Sequence, residues 1–337
     1  MTQPSVVRTS ALPAGTPEVA VAIVGAGACG LTAAVMLRDA GIACVLLERD
    51  ARAQGSTALS SGFIPAAGTA VQLAAGVNDD SPARCRALLL ACNGFGGNAA
   101  MVRALLPDMG TALFAGHAGN DGSAIAWGRA LGAGLADLGA YQGHGAWAVP
   151  QGALITWALM MQGGVQVNAL GRRFHDETLG YSEATVQVLA QPGGIAWAVF
   201  DDPLLALGCS FPDFVGAEAA GAVRHAADAP ALAALIGSAA DVLAQTLAGT
   251  RLNPPLHAIR VTGALFHTQG GLAIDAQCRV LREDGRPLPN LLAAGGAARG
   301  VSGHAVWGYL SGNGLLSAVA GGAIAAATLQ TLLEDTP

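Results

Sequence analysis

The chain has 337 residues, enough for a large buried core and normally for two domains. Its formal net charge is −6, with only 17 Lys plus Arg residues, which argues against a nucleic-acid partner. The six cysteines are scattered with no CxxC spacing, and we interpret them as reduced thiols of a cytoplasmic protein.

The first predicted elements are a strand, a helix and a second strand. Apolar runs at residues 19–24 and 43–47 predict the strands, and residues 31–40 predict the helix between them. Glu48 follows directly after the second strand. This order is typical of a dinucleotide-binding unit, in which an acid at this position holds the ribose hydroxyls of the adenosine.

The turn between the first strand and the helix reads Gly-Ala-Gly-Ala-Cys-Gly over residues 25–30. Gly25 permits a tight turn, Gly27 lets the backbone approach a pyrophosphate, and Gly30 lets helix and strand pack closely. The start of the helix offers N–H groups to the phosphates. The predicted cofactor contacts in this unit are Gly25, Ala26, Gly27, Cys29, Gly30, Glu48 and Arg49.

Glycine-rich segments later in the chain indicate which cofactor this is. Residues 54–65 form a small, hydroxyl-rich segment that could lie against a ring system, with Ser56, Thr57, Ser61 and Gly62 as predicted contacts. A strand at 291–294 runs into a glycine pair, and a second glycine loop at 308–314 opens the last helix. A helix start aimed at a flavin would stabilise the charge that develops on reduction. The apolar stretch at 315–333 predicts a buried helix rather than a membrane span.

At this point the chain resembles the flavoprotein family of fumarate reductase and succinate dehydrogenase, including its 3-ketosteroid dehydrogenase branch. The matching stretches follow the family order over most of the chain: the Gly25 turn with Glu48, residues 55–65, 88–98, 120–122, 171–174 with Glu177, 267–271 with 274–275, and 292–316.

The resemblance implies FAD, bound non-covalently because the flavin loop lacks an obvious histidine for attachment. It implies an α/β fold: a Rossmann-like FAD-binding domain with a parallel sheet, split by an inserted α+β clamp domain. We expect residues 1–114 and 262–337 to form the FAD-binding domain and residues 115–261 the clamp, with helices near 122–133, 217–223 and 229–248. The further cofactor contacts implied are Asn93, Gly94, His267, Gly295, Gly296, Asn313, Gly314, Leu315 and Leu316.

The clamp departs from the fumarate reductase pattern where that pattern has charged residues. Trp157 and Met160 replace the glutamate and arginine of the proton relay, and Tyr181 replaces its second arginine. Phe266 and Tyr309 replace the histidine and arginine that grip substrate carboxylates. An unpaired buried charge costs several kcal/mol, so the sequence predicts that dicarboxylates are rejected.

These replacements favour a hydrophobic cyclic or steroid-like ketone as substrate, with an external electron acceptor that the sequence does not identify. By the resemblance, Tyr181 is the general base. We expect Tyr309, with a neighbouring backbone N–H, to polarise the carbonyl as an oxyanion hole does. His144, Trp157 and Phe266 would line the substrate site.

Simpler interpretations remain open at each position. Tyr181 and Tyr309 could serve only packing, Trp157 and Met160 could be plain core, and His144 could be a structural histidine. Arg172 and Arg173 are expected to hold the clamp through carboxylates such as Glu177.

The functional alternatives are a flavoprotein that binds FAD without catalysis, since the chain is short for the family, and an enoate reductase acting on a monocarboxylate. The enoate reductase would need Arg172 or Arg173 to turn inward.

Overall fold

The computed structural model describes residues 18–50 and 84–334. The described residues divide into two compact units: the first contains residues 18–50, 84–107, 116–141 and 267–334, and the second contains 108–115 and 142–266. The sequence-based boundaries differ from this division, since they assign residues 116–141 to the clamp and residues 108–114 and 262–266 to the FAD-binding domain. The structure groups 116–141 with the first unit, where Leu135–Ala136 pairs with Gly271–Leu272.

The first unit begins with a strand, a helix and a strand, and three successive strands precede its last α-helix. The described strands are β1 (Glu18–Val24), β2 (Cys44–Leu47), β3 (Arg84–Leu90), β4 (Leu113–Phe114), β5 (Leu135–Ala136), β6 (Tyr141–Ala148), β7 (Ala153–Leu154), β8 (Val165–Val167), β9 (Ile195–Asp201), β10 (Arg224–Ala226), β11 (Leu256–Thr268), β12 (Gly271–Leu272), β13 (Arg279–Leu281) and β14 (Pro287–Ala293). The described α-helices are α1 (Ala28–Asp39), α2 (Ala99–Leu105), α3 (Ser123–Ala130), α4 (Ala158–Met161), α5 (Tyr181–Leu189), α6 (Asp202–Gly208), α7 (Pro212–Ala219), α8 (Ala229–Ile236), α9 (Ala240–Ala248) and α10 (Asn313–Glu334).

The first unit is built on a five-stranded sheet of order β13-β14-β3-β1-β2, in which all neighbours are parallel except β13 and β14. Val24 lies opposite both Leu47 and Leu90, and Leu90 lies opposite Ala293. Four parallel strands therefore end along one edge. Ligands of open parallel sheets bind outside this carboxyl edge.

Helices α1 and α10 pack on each other in the first unit. A Cβ on Gly322 would lie 2.4 Å from the Cys29 carbonyl oxygen, so the small residue sets how closely the helices approach. Ala325, Ala326 and Leu329 of α10 are buried beside it.

Helix α10 is less buried than the sequence predicts, because it buries one stripe of small residues rather than its whole surface. By length and composition alone it could cross a membrane, a property that core helices share.

The second unit is built on a seven-stranded sheet of order β7-β6-β11-β9-β8, with β10 and β4 also paired to β11. Its largest core side chains include Phe200, Phe214 and Leu159, all fully buried. The long helix expected near 229–248 is two helices, because Gly237 adopts a left-handed φ of 83° at the end of α8.

Candidate functional site

The predicted nucleotide turn lies at the carboxyl edge of the first sheet. Helix α1 begins at Ala28 with Gly27 as its N-cap, and within the described chain no side chain caps it and its first turn holds no acid. The Glu48 carboxylate accepts a hydrogen bond from the Ala26 N–H at 2.8 Å. The same turn thus presents a helix N-terminus suited to phosphate and a carboxylate suited to ribose hydroxyls. These residues fit the adenosine diphosphate part of FAD.

Two glycines of the turn are required by its geometry, as the sequence predicts. Gly25 has a φ of +107°, which side-chain-bearing residues rarely adopt. A Cβ on Gly30 would lie 1.9 Å from the Gly25 carbonyl oxygen and 3.2 Å from the Ile23 side chain. Any larger residue at position 30 would push α1 away from the turn.

The segments that follow β3 and β14 meet in the first unit. Asn93 adopts a φ of 67°, and its side-chain oxygen accepts from the Gly94 N–H at 2.9 Å. A Cβ on Gly296 would lie 2.1 Å from that oxygen, and one on Gly295 would lie 3.1 Å from the Cys29 Cβ. The structure therefore brings predicted cofactor residues from both ends of the chain together.

A chain of hydrogen bonds joins two more predicted cofactor residues, His267 and Asn313. The Asn313 amide donates to the Ser302 hydroxyl at 3.1 Å, and this hydroxyl donates to the Gln269 Oε1 at 3.0 Å. The Gln269 Nε2 lies 3.0 Å from the His267 Nδ1, so the amide donates and the imidazole accepts. Burial lowers the pKa of His267 to about 4, which keeps it neutral and leaves its proton on Nε2.

The buried links of this chain, Gln269 and Ser302, are absent from the sequence-based set of site residues. The signal that points to Gln269 is a polar residue immediately before a glycine pair, at the end of a long apolar strand.

The other predicted cofactor residues are more peripheral. Arg49 pairs with Asp121 at 3.0 Å, and both side chains are substantially exposed. Leu315 is half-buried and Leu316 is exposed, both in the first turn of α10. Ser56, Thr57, Ser61 and Gly62 lie outside the described residues.

In the second unit, four predicted clamp residues form one ring cluster. The His144 and Tyr181 rings stack, with centroids 4.9 Å apart and planes 22° apart. Trp157 meets His144 edge-on at 5.8 Å, and Phe266 lies tilted at 5.8 Å. Such ring pairs add about 0.5–1.5 kcal/mol each beyond the area they bury. We name these four residues the ring cluster.

The central ring of the cluster is a buried, neutral imidazole. The Nδ1 atom of His144 accepts a hydrogen bond from the Ala146 N–H at 3.1 Å. Burial lowers the pKa of His144 to about 3. Near neutral pH His144 is therefore uncharged and cannot serve as an acid in proton transfer.

A buried polar network braces the ring cluster. Trp157 donates from Nε1 to the Glu177 carbonyl oxygen at 3.1 Å, and the Glu177 carboxylate accepts from the Gln166 N–H at 2.7 Å. Arg173 binds the same carboxylate through Nη2 and, at 3.3 Å, through Nε. The predicted pairing of Arg173 with Glu177 is thus confirmed. The Gln166 side chain then donates to the Gly145 carbonyl oxygen at 2.8 Å, next to His144.

The remaining predicted residues have mixed surroundings. Met160 and Trp157 belong to the hydrophobic core of the second unit, although Trp157 also contacts His144. Tyr309 belongs to the first unit, where it is half-buried after the 3₁₀ turn Val306–Gly308. Within the described ranges, no group of three or more His, Cys, Asp or Glu side chains could hold a metal ion.

Comparison with known proteins supports a flavin-binding fold. A family model described as an FAD binding domain matches residues 20–86 and 80–315. NADH:fumarate oxidoreductase of Klebsiella pneumoniae (strain 342) is 28% identical over 251 residues, covering 67% of this chain and 27% of that protein. Fumarate reductase (cytochrome) of Shewanella frigidimarina is 27% identical over 259 residues, covering 71% of this chain and 44% of that protein. The chain thus spans less than half the length of these curated relatives.

Solved structures share the fold. The open conformation of a flavocytochrome c3 fumarate reductase has a TM-score of 0.75 at 20% identity, covering 96% of this chain and 80% of that one. The 3-ketosteroid-Δ4-(5α)-dehydrogenase from Rhodococcus jostii RHA1, in complex with 4-androstene-3,17-dione, has a TM-score of 0.66 at 19% identity, covering 93% and 97%. The Rossmann-like fold predicted from the sequence is therefore confirmed.

Proposed function

Because the chain belongs to the FAD binding domain family, we propose that it is an FAD-dependent oxidoreductase acting on carbon–carbon single or double bonds. Within that class, we propose that it desaturates a hydrophobic cyclic or steroid-like ketone, or reduces the corresponding alkene. The observation that supports this substrate class is the ring cluster. His144, Trp157, Tyr181 and Phe266 gather in one place, and the arginine of the adjoining network is bound to Glu177.

The chemistry requires removal of a proton and a hydride from adjacent carbons. FAD, when bound, supplies the hydride acceptor. We propose that Tyr181 takes the proton and that Tyr309 donates a hydrogen bond to the substrate carbonyl oxygen. Trp157 and Phe266 would supply flat apolar contact, which favours a ring-shaped substrate. We propose that FAD binds at the carboxyl edge of the first sheet.

One observation favours a second candidate, an enoate reductase: the curated relatives at 27–28% identity are fumarate reductases. A carboxylate substrate needs a cation in its site. Arg173 is tied to Glu177, which leaves the exposed Arg172 as the remaining arginine of the pair named by the sequence. The ketone therefore remains our first proposal.

The free thiol state of all six cysteines supports the further proposal of a reducing, cytoplasmic location.

The test uses purified, FAD-loaded protein with a 3-ketosteroid and an artificial electron acceptor, and separately fumarate with a reduced viologen. We expect turnover of the ketone, and Tyr181→Phe should lower kcat about 10²–10⁴-fold while FAD content stays unchanged. Tyr141→Phe, the same chemical change at a residue outside the ring cluster, is the matched control and should keep full activity. Turnover of fumarate alone would favour the second candidate. A flavin that dithionite reduces but no organic substrate does would indicate a non-catalytic flavoprotein.

A further inference from the structure

We propose that His144 determines substrate specificity by offering a neutral Nε2–H to an uncharged substrate oxygen, so that the site selects carbonyl compounds over carboxylates. The inference rests on the proposed function for the identity of the reaction, but its structural basis is separate. In this proposal His144 does not bind a substrate carboxylate.

The backbone fixes which nitrogen of His144 carries the proton. The Ala146 N–H points at Nδ1 from a distance of 3.1 Å, and Ala146 is a buried residue of β6. Strand geometry holds that N–H in place, so a proton on Nδ1 would set two N–H groups against each other. The imidazole therefore carries its single proton on Nε2.

The described ring contacts of His144 include no counter-ion for a positive charge. The rings in contact with His144 belong to Trp157, Tyr181 and Phe266, of which only Tyr181 is titratable. Glu177, whose carbonyl oxygen accepts from Trp157, has its carboxylate charge balanced by the salt bridge with Arg173. Burial accordingly lowers the pKa of His144.

The Nε2 atom of His144 has no hydrogen-bond acceptor in the described part of the chain. None of the described residues accepts a hydrogen bond from it, and every described contact of His144 is either the Ala146 bond or a ring contact. His144 is only 5% exposed, so this donor lies in largely buried surroundings. A donor without a partner in an apolar setting gains most from an acceptor supplied by a ligand.

A single neutral donor discriminates between the two ligand classes. A ketone oxygen loses little hydration and regains one hydrogen bond at Nε2. A carboxylate would have to leave water for a site lined by aromatic rings with no counter-ion on His144. The carboxylate would therefore be the weaker ligand even when its carbon skeleton is the same.

The first test reads the protonation state directly. FAD-loaded protein labelled with ¹⁵N-histidine is titrated from pH 8 to pH 5, and the His144 signals are assigned by comparison with His144→Gln. We expect the Nε2–H form throughout this range. A proton on Nδ1, or a titration midpoint near the unperturbed value of about 6.5, would overturn the inference whatever the enzyme turns over.

The second test measures binding of cyclohexenone and of cyclohexenecarboxylate, which share a ring and differ in charge. We expect the ketone to bind at least about tenfold more tightly and to shift the His144 Nε2 signal. His144→Leu should weaken ketone binding about tenfold, whereas His144→Gln, which keeps an N–H donor, should weaken it about threefold or less. His225→Gln, a change at an exposed histidine of β10 in the same unit, is the control and should leave binding unchanged.

The outcomes separate the two proposals. Preferential binding of the carboxylate, binding of neither probe, or equal binding by His144→Leu would overturn the role of His144. Selective ketone binding through Nε2 without turnover would support that role and count against the proposed reaction instead.

Discussion

Removal of the Glu177 carboxylate should destabilise the second unit by about 2–5 kcal/mol. Glu177 is 2% exposed and its partner Gln166 is fully buried, so Glu177→Ala leaves the Gln166 N–H without an acceptor, which costs about 1–3 kcal/mol. A void at the missing side chain adds about 1 kcal/mol. Arg173 is 41% exposed and returns to water, so its loss contributes at most about 1 kcal/mol.

Urea unfolding, followed by Trp fluorescence and far-UV circular dichroism, measures this loss. Glu177→Gln retains an oxygen for the Gln166 N–H and should be destabilised by about 1 kcal/mol. The control is Glu283→Ala, an exposed site that should shift stability by less than about 0.5 kcal/mol. If Glu177→Ala behaved like that control, the network would not brace the ring cluster and the reasoning would be refuted.

Three further predictions concern the nucleotide turn and pH. Gly30→Ala places a Cβ 1.9 Å from the Gly25 carbonyl oxygen, so we expect loss of FAD and at least about 2 kcal/mol of stability; Gly216→Ala, in α7 with open space around it, should instead be stabilising by about 0.5–1 kcal/mol in urea unfolding. Glu48→Gln should weaken FAD about 10–100-fold in a fluorescence titration, because it removes charge-assisted bonds to the ribose; an unchanged affinity would contradict its assignment. The pKa of His144 is about 3 in the native state, below its value of about 6.5 in the unfolded chain. Below about pH 6.5 the unfolded chain therefore binds a proton that the native state does not bind, and the free energy of unfolding decreases as the pH is lowered. At pH 5 this amounts to about 2 kcal/mol, and His144→Gln should lose less stability between pH 7 and pH 5 than the wild type by that amount.

The nucleotide-binding half of the fold was predictable because its signals are local. The strand at residues 19–24, the glycine turn and the helix follow one another directly in the sequence. The geometry of this one turn explains why glycine is needed at both Gly25 and Gly30. Helix α1 nevertheless begins at Ala28, three residues earlier than its apolar pattern predicts, because an N-terminus at the turn needs no apolar side chain.

Contacts between distant segments were harder to foresee. The resemblance named His144, Trp157, Tyr181 and Phe266 one by one, and only the folded sheet of the second unit shows that their rings touch. The bracing role of Gln166 has no sequence signature, since a lone glutamine in a three-residue strand resembles a surface residue. Likewise, no pattern joins Gln269 to Ser302, which lie 33 positions apart.

The close approach of Gly94 and Gly296 determines when the cofactor site can form during synthesis. Asn93 rests against a glycine some two hundred positions downstream, so the cofactor cradle closes late during synthesis, after the second unit has left the ribosome. Such distant partners are slow to find each other, because loop closure must precede any stabilising contact. An amino-terminal fragment that stops before β14 would keep its glycine turn yet lack the surface that completes the cradle, and it would emerge without bound flavin.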